Sequence, residues 1–201
     1  LAVSVDNMGD GYAARSFEAR GGRLRLLWGS DAIRSPGQFY GEISQFLGFH
    51  VLMAGKVTGL AARGDWRRAY PIMEKLFSLE RDDTDFVLAP LWSKHRKRGL
   101  FKELASFSRE DISAAAQRRL EDILVRYVQR GLRETGLRHV VLAGGVFANV
   151  LVNHRIWSLP EVDGVFVHPA MSDQGIAVGA AYHWQAEQGV TLTPSALPHA
   201  Y

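Results

Sequence analysis

The chain has 201 residues, of which 47% are hydrophobic and 22% are charged, with a formal net charge of +3. This balance is typical of a soluble globular protein with a sizeable core, and so small a charge does not indicate a nucleic-acid surface. The absence of cysteine excludes disulfides, thiolate metal sites and a cysteine nucleophile, and it fits a cytoplasmic location. No apolar run reaches the eighteen residues that a membrane-spanning helix requires.

The first thirty residues predict three consecutive strands, at 1–5, 12–20 and 24–28. Gly21-Gly22 is a hairpin-turn signal, so the strands should form an antiparallel meander. The first residue is Leu1 and the segment reads as a strand already under way. We therefore expect the natural chain to begin further upstream.

The middle of the chain predicts mostly helix. Apolar residues at helical spacing follow Ser35 and end at Gly48, and a second helix is expected over 66–79, kinked or split by Pro71. Residues 80–99 predict a long loop with one short strand at 86–88. The loop includes a basic run at 94–98, interpreted as a solvated segment or as a phosphate or partner contact.

The last third predicts strands that alternate with helices. Ser108 is a candidate N-cap and Gly136 a candidate stop for a helix over 109–135. The elements expected after it are a buried strand at 139–143, a helix from Gly144-Gly145 to about 157, a strand at 165–167, a helix from Asp173 to about 187, and a tail.

A meander followed by strand–helix crossover units is the order of a ribonuclease-H-like α/β lobe, the lobe that occurs in pairs in actin-like ATPases. We therefore expect residues 1–189 to form one such nucleotide-binding lobe, with a helical insertion at about 50–108. Residues 190–201 would be a linker toward a C-terminal domain.

Turns at the ends of strands carry the candidate chemistry, since ligands of open sheets bind there. Asp6-Asn7-Met8-Gly9-Asp10-Gly11 offers glycines whose backbone amides can approach an anion and carboxylates that suit a hard cation. The alternative is a tight hairpin in which Asp and Gly are simply good turn residues.

Two further turns lie in the last third. Gly144-Gly145 joins a buried strand to a helix and offers a flat platform for adenine, ribose or phosphate, with Asn149 on the first helical turn as a hydrogen-bonding residue. Asp173 either caps the last helix or lies at the same cleft edge as Asp6, where the two carboxylates could share a metal ion. The small residues Gly175 and Gly179 would let that helix pack close to the sheet.

A lysine beside two glycines is the fourth candidate. Lys56, between Gly55 and Gly59, could neutralise a phosphate or carbamoyl phosphate oxygen, although an exposed helical lysine is the alternative. The spacing is not that of a Walker motif.

These motifs together resemble the carbamoyltransferases of the nodulation-factor and aminoglycoside-antibiotic type. The resemblance is carried by segments in the same order over nearly the whole chain: Asp6–Gly11, Phe39-Tyr40, Leu47–Phe49, Gly55–Ala61, Gln117, Leu142–Val146, Asn149, Asn153, and Pro169-Ala170 before Asp173. The family is similar in its main domain to the enzyme that puts threonylcarbamoyl groups on tRNA.

The resemblance implies a two-stage reaction, in which carbamoyl phosphate and ATP give carbamoyladenylate and the carbamoyl group then passes to a substrate hydroxyl with release of AMP. Asp6 and Asp173 match the aspartates that hold an iron-type divalent metal, and Lys56 matches a lysine near the acyl phosphate. The remaining matches are to the phosphate-side turn at Gly9, Asp10 and Gly11, and to the adenosine-side turn at Gly144, Gly145 and Asn149.

The same resemblance places two metal-binding histidines and a first lobe upstream, and an adenylate-forming domain downstream. Asn7-Met8 also departs from the family pattern of Gly and a variable residue. We therefore expect an acceptor that is a hydroxyl-bearing small molecule or glycoside, no membrane, no nucleic acid, and no activity from this piece alone. The alternatives are a non-catalytic nucleotide-binding lobe and a tRNA-modifying relative.

Overall fold

The computed structural model describes residues 1–89 and 94–191, with the side chains of 94–97 excepted. Its strands are β1 (Ala2–Gly9), β2 (Tyr12–Arg20), β3 (Arg23–Asp31), β4 (Phe77–Leu79), β5 (Phe86–Leu88), β6 (His139–Ala143) and β7 (Gly164–Val167). Its helices are α1 (Pro36–Phe46), α2 (Gly55–Ala61), α3 (Trp66–Leu76), α4 (Lys94–Leu104), α5 (Arg109–Thr135), α6 (Val150–Trp157) and α7 (Gly175–Glu187).

The described strands form a mixed five-stranded sheet and a separate hairpin. The sheet has the order β3-β2-β1-β6-β7, in which β1, β2 and β3 are antiparallel neighbours and β6 runs parallel to both β1 and β7. The α/β class and the predicted order, a meander followed by crossover units, are therefore confirmed. The carboxyl ends of three parallel strands meet at one edge, which is where ligands of such sheets bind.

Helix α5 is the central element of the core. Ser108 accepts a hydrogen bond from the Asp111 amide at 3.1 Å at its start, and Gly136 ends it in the left-handed conformation, as the sequence predicts. Most of its apolar residues are buried, including Tyr127. A column of stacked rings beside it links α1 to the β4–β5 hairpin and to α5, with centroid separations of 4.7, 5.8 and 4.7 Å, in the order Phe39, Phe77, Phe86 and Tyr127.

The helices of the core cover only one face of the sheet. Alternate residues of β1 and β6, such as Val5 and Leu142, are fully buried against α1 and α5. On the opposite face Val141 is 43% exposed and Phe166 is 50% exposed. Helix α7 has no buried residue among its thirteen, although it is apolar on every side.

The middle of the chain departs from the sequence prediction. The helix predicted over 66–79 ends at Leu76, and the last three residues form β4, which pairs with β5. Pro71 lies inside α3 without splitting it. A proline there costs about 3 kcal/mol in a free helix, and burial of Ala69 and Met73 against α5 offsets that cost.

The predicted loop at 80–99 is also partly wrong. Its strand at 86–88 is confirmed, but the basic run at 94–98 belongs to α4. The predicted linker at 190–201 falls almost entirely outside the described residues, which stop at 191. Within the described ranges, none of the helices combines the length and apolarity needed to cross a bilayer.

The one-sided burial of β6 predicts an asymmetric response to mutation. Leu142→Ala removes a side chain with no exposed surface and should lower the free energy of unfolding by about 2–5 kcal/mol, whereas Val141→Ala, one residue away on the open face, should cost about 1 kcal/mol or less. Urea denaturation of the two variants checks this. Equal losses would contradict the assignment of the buried face.

Candidate active site

Two cavities meet at the carboxyl edge of β1 and β6. The helical chamber, of about 410 Å³, lies between α1, α2 and the turn after β6, and includes Tyr40, Thr58 and Asn149 in its lining. The strand chamber, of about 350 Å³, lies over the ends of β1 and β2 and includes Arg15 and Asp173. Asp6 and Ser172 line both chambers, so the two adjoin at these residues.

Asp6 is held rigidly where the chambers meet. Its Oδ1 accepts a hydrogen bond from the Asn7 amide at 2.6 Å, and its Oδ2 accepts one from the Gly145 amide at 3.0 Å. The Asp6 carbonyl accepts a third from the Ser35 hydroxyl at 2.9 Å, which ties the start of α1 to the end of β1. The carboxylate therefore joins β1 to the turn after β6 and faces both cavities.

The two glycines of that turn have different tasks. Gly144 has a φ of +94°, and a Cβ there would lie 2.1 Å from the Val5 carbonyl oxygen, so no other residue fits. Gly145 keeps the cleft open, because a Cβ there would approach the Asp6 and Ser172 side chains to 3.2 and 3.3 Å. The predicted platform is thus a backbone surface between the chambers.

Asn149 is the N-cap of α6, one position before the helical turn to which the sequence assigned it. A 3-10 turn over Gly145–Ala148 precedes the helix, and the Asn149 Oδ1 accepts from the Val152 amide at 3.3 Å. The same side chain pairs with the buried Gln117 amide at 2.8 and 3.0 Å. Asn149 therefore both caps α6 and lines the helical chamber.

Tyr40 completes the polar wall of the helical chamber. Its hydroxyl donates to the Gln117 Oε1 at 2.6 Å and lies 2.9 Å from the Thr58 Oγ1. Burial raises the pKa of the Tyr40 hydroxyl far above its usual range, and the hydrogen bond with Thr58 offsets only part of that effect. Tyr40 is therefore a neutral hydrogen-bonding group at any physiological pH.

The turn after β1 is a tight hairpin whose members differ in their relation to the cleft. Gly9 pairs with Tyr12 and lines the strand chamber. Asp10 and Gly11 both have positive φ, at 54° and 80°, and the Asp10 side chain is 93% exposed and 3.6 Å from Arg15. The turn has the geometry of a tight hairpin, and its members Asp6, Met8 and Gly9 line the strand chamber.

Asp173 lies in the strand chamber together with Asp6, as the expected topology requires. It does not cap the last helix, since α7 begins at Gly175 and no side chain caps it. The predicted close packing of α7 is also wrong, because nothing lies within 4 Å of a Cβ built at Gly179. A tight approach occurs only at Gly175, against the Ala170 carbonyl.

The two aspartates do not make a metal site by themselves. They are of the right kind for a hard divalent cation, but among the described residues no group of three histidine, aspartate or glutamate side chains could hold one. The part of the chain that the structure describes therefore offers at most two carboxylate ligands here. Both Asp6 oxygens already accept backbone amides.

Lys56 is less closely associated with the cleft. Its side chain is exposed on α2, with the ammonium 5.8 Å from the centre of the Phe49 ring. Its neighbours Gly55 and Thr58 line the helical chamber, while Lys56 itself is absent from the lining of both chambers. The exposed-helix alternative describes the position seen here.

Sequence reasoning missed three residues that line the cleft. Arg15 lines the strand chamber, with its guanidinium 3.9 Å from the centre of the Tyr12 ring; Ser172 lines both cavities, and Thr58 lines the helical chamber. For Arg15 a signal existed, because strand periodicity places it on the same face as Ser4, its partner on β1. For Ser172 and Thr58 there was no such signal, because tertiary packing determines where their backbone segments lie.

Comparison with known proteins shows the family of the chain. The family model described as "Carbamoyltransferase N-terminus" matches residues 2–182. The chain belongs to this carbamoyltransferase family.

Three relatives show the range of similarity. The chain is 30% identical to an uncharacterized protein of Methanocaldococcus jannaschii, over 90% of this chain and 36% of the relative. It is 28% identical to the nodulation protein NolO of Bradyrhizobium diazoefficiens, over 100% of this chain and 37% of the relative. It is 30% identical to the tRNA N6-adenosine threonylcarbamoyltransferase of Lacticaseibacillus casei, over 91% of this chain and 54% of the relative. The chain thus spans about a third to a half of these relatives.

The close approach at Gly144 predicts a severe effect of the smallest substitution. Gly144→Ala should lower the free energy of unfolding by more than about 3 kcal/mol, because its Cβ collides with the backbone of β1. Gly21→Ala is the matched control: its φ is +57° but nothing lies within 4 Å of the added Cβ, so it should cost only about 1–2 kcal/mol. Chemical denaturation of both variants separates collision from backbone strain.

Proposed function

We propose that this chain is a ribonuclease-H-like nucleotide-binding lobe, of the actin-like ATPase kind, in an ATP-dependent O-carbamoyltransferase. The strand order supports the lobe assignment, and family membership supports the chemistry. The observation that carries the proposal is the convergence of the two chambers on Asp6 and Ser172, with Asp173 in the second. We propose that one elongated ligand occupies both.

The proposed ligand is carbamoyladenylate made from ATP and carbamoyl phosphate. The helical chamber suits its adenosine, since Val51, Leu52 and Ala148 give apolar surface and Gly145 gives a flat backbone. The phosphate and carbamoyl group would then lie toward the strand chamber. Gly9, Asp10 and Gly11 are proposed to approach the phosphate through the backbone, and Lys56 to approach it from α2.

The proposed reaction transfers the carbamoyl group to a hydroxyl of a sugar-like or natural-product acceptor. The hydroxyl oxygen attacks the carbamoyl carbon, the bond from that carbon to the phosphate oxygen breaks, and AMP leaves with the electron pair while the hydroxyl proton is lost to a base. Arg15, the cation of the strand chamber, offers stabilisation to the negative charge that develops on the leaving phosphate.

An iron-type divalent metal remains part of the proposal, with Asp6 and Asp173 as two of its ligands. A bound cation would polarise the carbamoyl carbonyl. Because the described residues supply two ligands and stable sites need at least three, the others would come from outside those residues. A preceding lobe and a C-terminal adenylate-forming domain are proposed as the remaining parts of the whole protein.

A related function is the alternative. The chain resembles tRNA N6-adenosine threonylcarbamoyltransferases of several bacteria about as closely as it resembles nodulation proteins. The two functions differ in the group that is transferred and in the acceptor. A non-catalytic lobe would bind nucleotide and transfer nothing.

The activity test follows AMP release. Because the chain spans about a third of several relatives, the assay uses the protein at the length of those relatives, supplied with ATP, carbamoyl phosphate and hydroxyl-bearing acceptors. Asp173→Asn should lower carbamoyl transfer by at least about 100-fold, since it removes a charge from the strand chamber with little change of shape.

Asp163→Asn is the matched control. Asp163 precedes β7 at the opposite edge of the sheet and pairs with Arg138 on the surface, so transfer should remain unchanged. Transfer that survives Asp173→Asn would remove Asp173 from the site. Acceptance of threonylcarbamoyladenylate and tRNA instead of carbamoyl phosphate would favour the alternative.

A further inference from the structure

The turn between β7 and α7 supplies three residues of the strand chamber. Met171, Ser172 and Asp173 line that chamber, and Ser172 also lines the helical one. Ser172 is only half-buried and Asp173 is exposed, so packing in the core does not fix their side chains. The position of both side chains therefore depends on the backbone of the turn.

A histidine at the end of β7 closes this turn. The His168 Nδ1 accepts a hydrogen bond from the Ala170 amide at 3.0 Å. Pro169 lies between the two residues and has no N–H, so the Ala170 amide is the first backbone donor that follows His168. In most turns of this kind, Asp or Asn provides the side-chain acceptor for the amide two residues further on. Here the imidazole nitrogen takes that role.

The same turn is held from two other sides. The Gly144 amide donates to the Met171 carbonyl at 2.6 Å, which joins the turn to the backbone platform after β6. A Cβ at Gly175 would lie 2.2 Å from the Ala170 carbonyl oxygen, so the start of α7 packs directly on the turn. Ala170 is thus held at its amide by the imidazole and confined at its carbonyl by α7.

The hydrogen bond also determines the form of the imidazole. Nδ1 can accept only when it carries no proton, so the single proton of the neutral His168 ring lies on Nε2. The ring meets Phe166 edge to face, with centroids 6.4 Å apart, and its Nδ1 lies 3.8 Å from the Cβ position at Gly175. The ring therefore lies between the end of β7 and the start of α7.

We propose that His168 is a positioning residue, which holds Ser172 and Asp173 at the strand chamber through the turn that it closes. The inference rests on the proposed function, because carbamoyl transfer is one of its two measures. His168 is outside the lining of both chambers, so it acts through the turn and does not touch the ligand. When the bond to Ala170 is lost, the peptide can rotate and the two side chains that follow it move as well.

The first test does not depend on activity. In the full chain, long-range proton–nitrogen NMR correlations should show the neutral His168 ring with its proton on Nε2. The Ala170 amide should exchange with deuterium at least about 10-fold faster in His168→Leu, which lacks the acceptor. His168→Asn places an amide oxygen close to the position of Nδ1 and should restore the slow exchange. A proton on Nδ1, or equal exchange in the three proteins, would overturn the inference.

The second test measures carbamoyl transfer in the protein at the length of its relatives. His168→Leu should lower kcat by about 10-fold or more and change the KM for ATP by less than about threefold, because loss of a supporting residue misplaces groups that remain present. His168→Asn should keep kcat within about threefold of the unmodified protein, since it can close the same turn. A role in general stability alone would not give this recovery.

His154→Leu serves as the control, since it makes the same replacement at an exposed position on α6, outside the lining of both chambers. It should change neither kcat nor the exchange of the Ala170 amide. The tautomer in the unmodified chain carries the test if His168→Leu does not fold.

The outcomes separate the inference from the proposed function. Transfer that is unchanged in His168→Leu, or that His168→Asn fails to restore, would overturn the positioning role and leave the carbamoyltransferase assignment intact. An unmodified protein that transfers no carbamoyl group would overturn the proposed function. The exchange measurement would then still decide whether His168 holds the turn.

Discussion

The backbone approach between the end of β1 and the turn after β6 is the constraint on which the site depends. Gly144 lies so close to the Val5 carbonyl that a single methyl group cannot be inserted, and the next amide, of Gly145, donates to Asp6. The hydrogen bond depends on the close approach, because the Asp6 carboxylate reaches the Gly145 amide only when the two backbone segments are this near. The boundary between the two chambers follows from that contact.

Helix α5 connects this edge to the interior. The side that carries Ile123 and Tyr127 is packed in the core, while Gln117, about two to three turns earlier, organises the wall of the helical chamber. Glu121 and Arg155 extend the same hydrogen-bonded chain to α6. Because one rigid helix serves both purposes, the polar wall is fixed by the packing of apolar residues and needs no separate scaffold.

Much of this was accessible from the sequence, for identifiable reasons. Helix α5 has an N-cap at Ser108, a left-handed stop at Gly136 and a clean apolar stripe, all local signals, and its bounds were predicted correctly. The β4 strand was missed because its residues continue a helical pattern until pairing with β5 overrides it. The placement of Asp6 and Asp173 in one chamber followed from the topology. The sequence did not predict that Lys56 and Asp10 lie outside the lining of that chamber, because the direction of a side chain depends on packing.

The exposed helix α7 gives the molecule a built-in optical reporter. Trp184 lies on α7 with its side chain 62% exposed, in a helix that contributes nothing to the core. An indole in contact with water emits at longer wavelength than one in an apolar surrounding. A polypeptide that covers Trp184 would therefore shift its emission to the blue, against a background from the partly buried Trp28 and from Trp157, which is 55% exposed on α6.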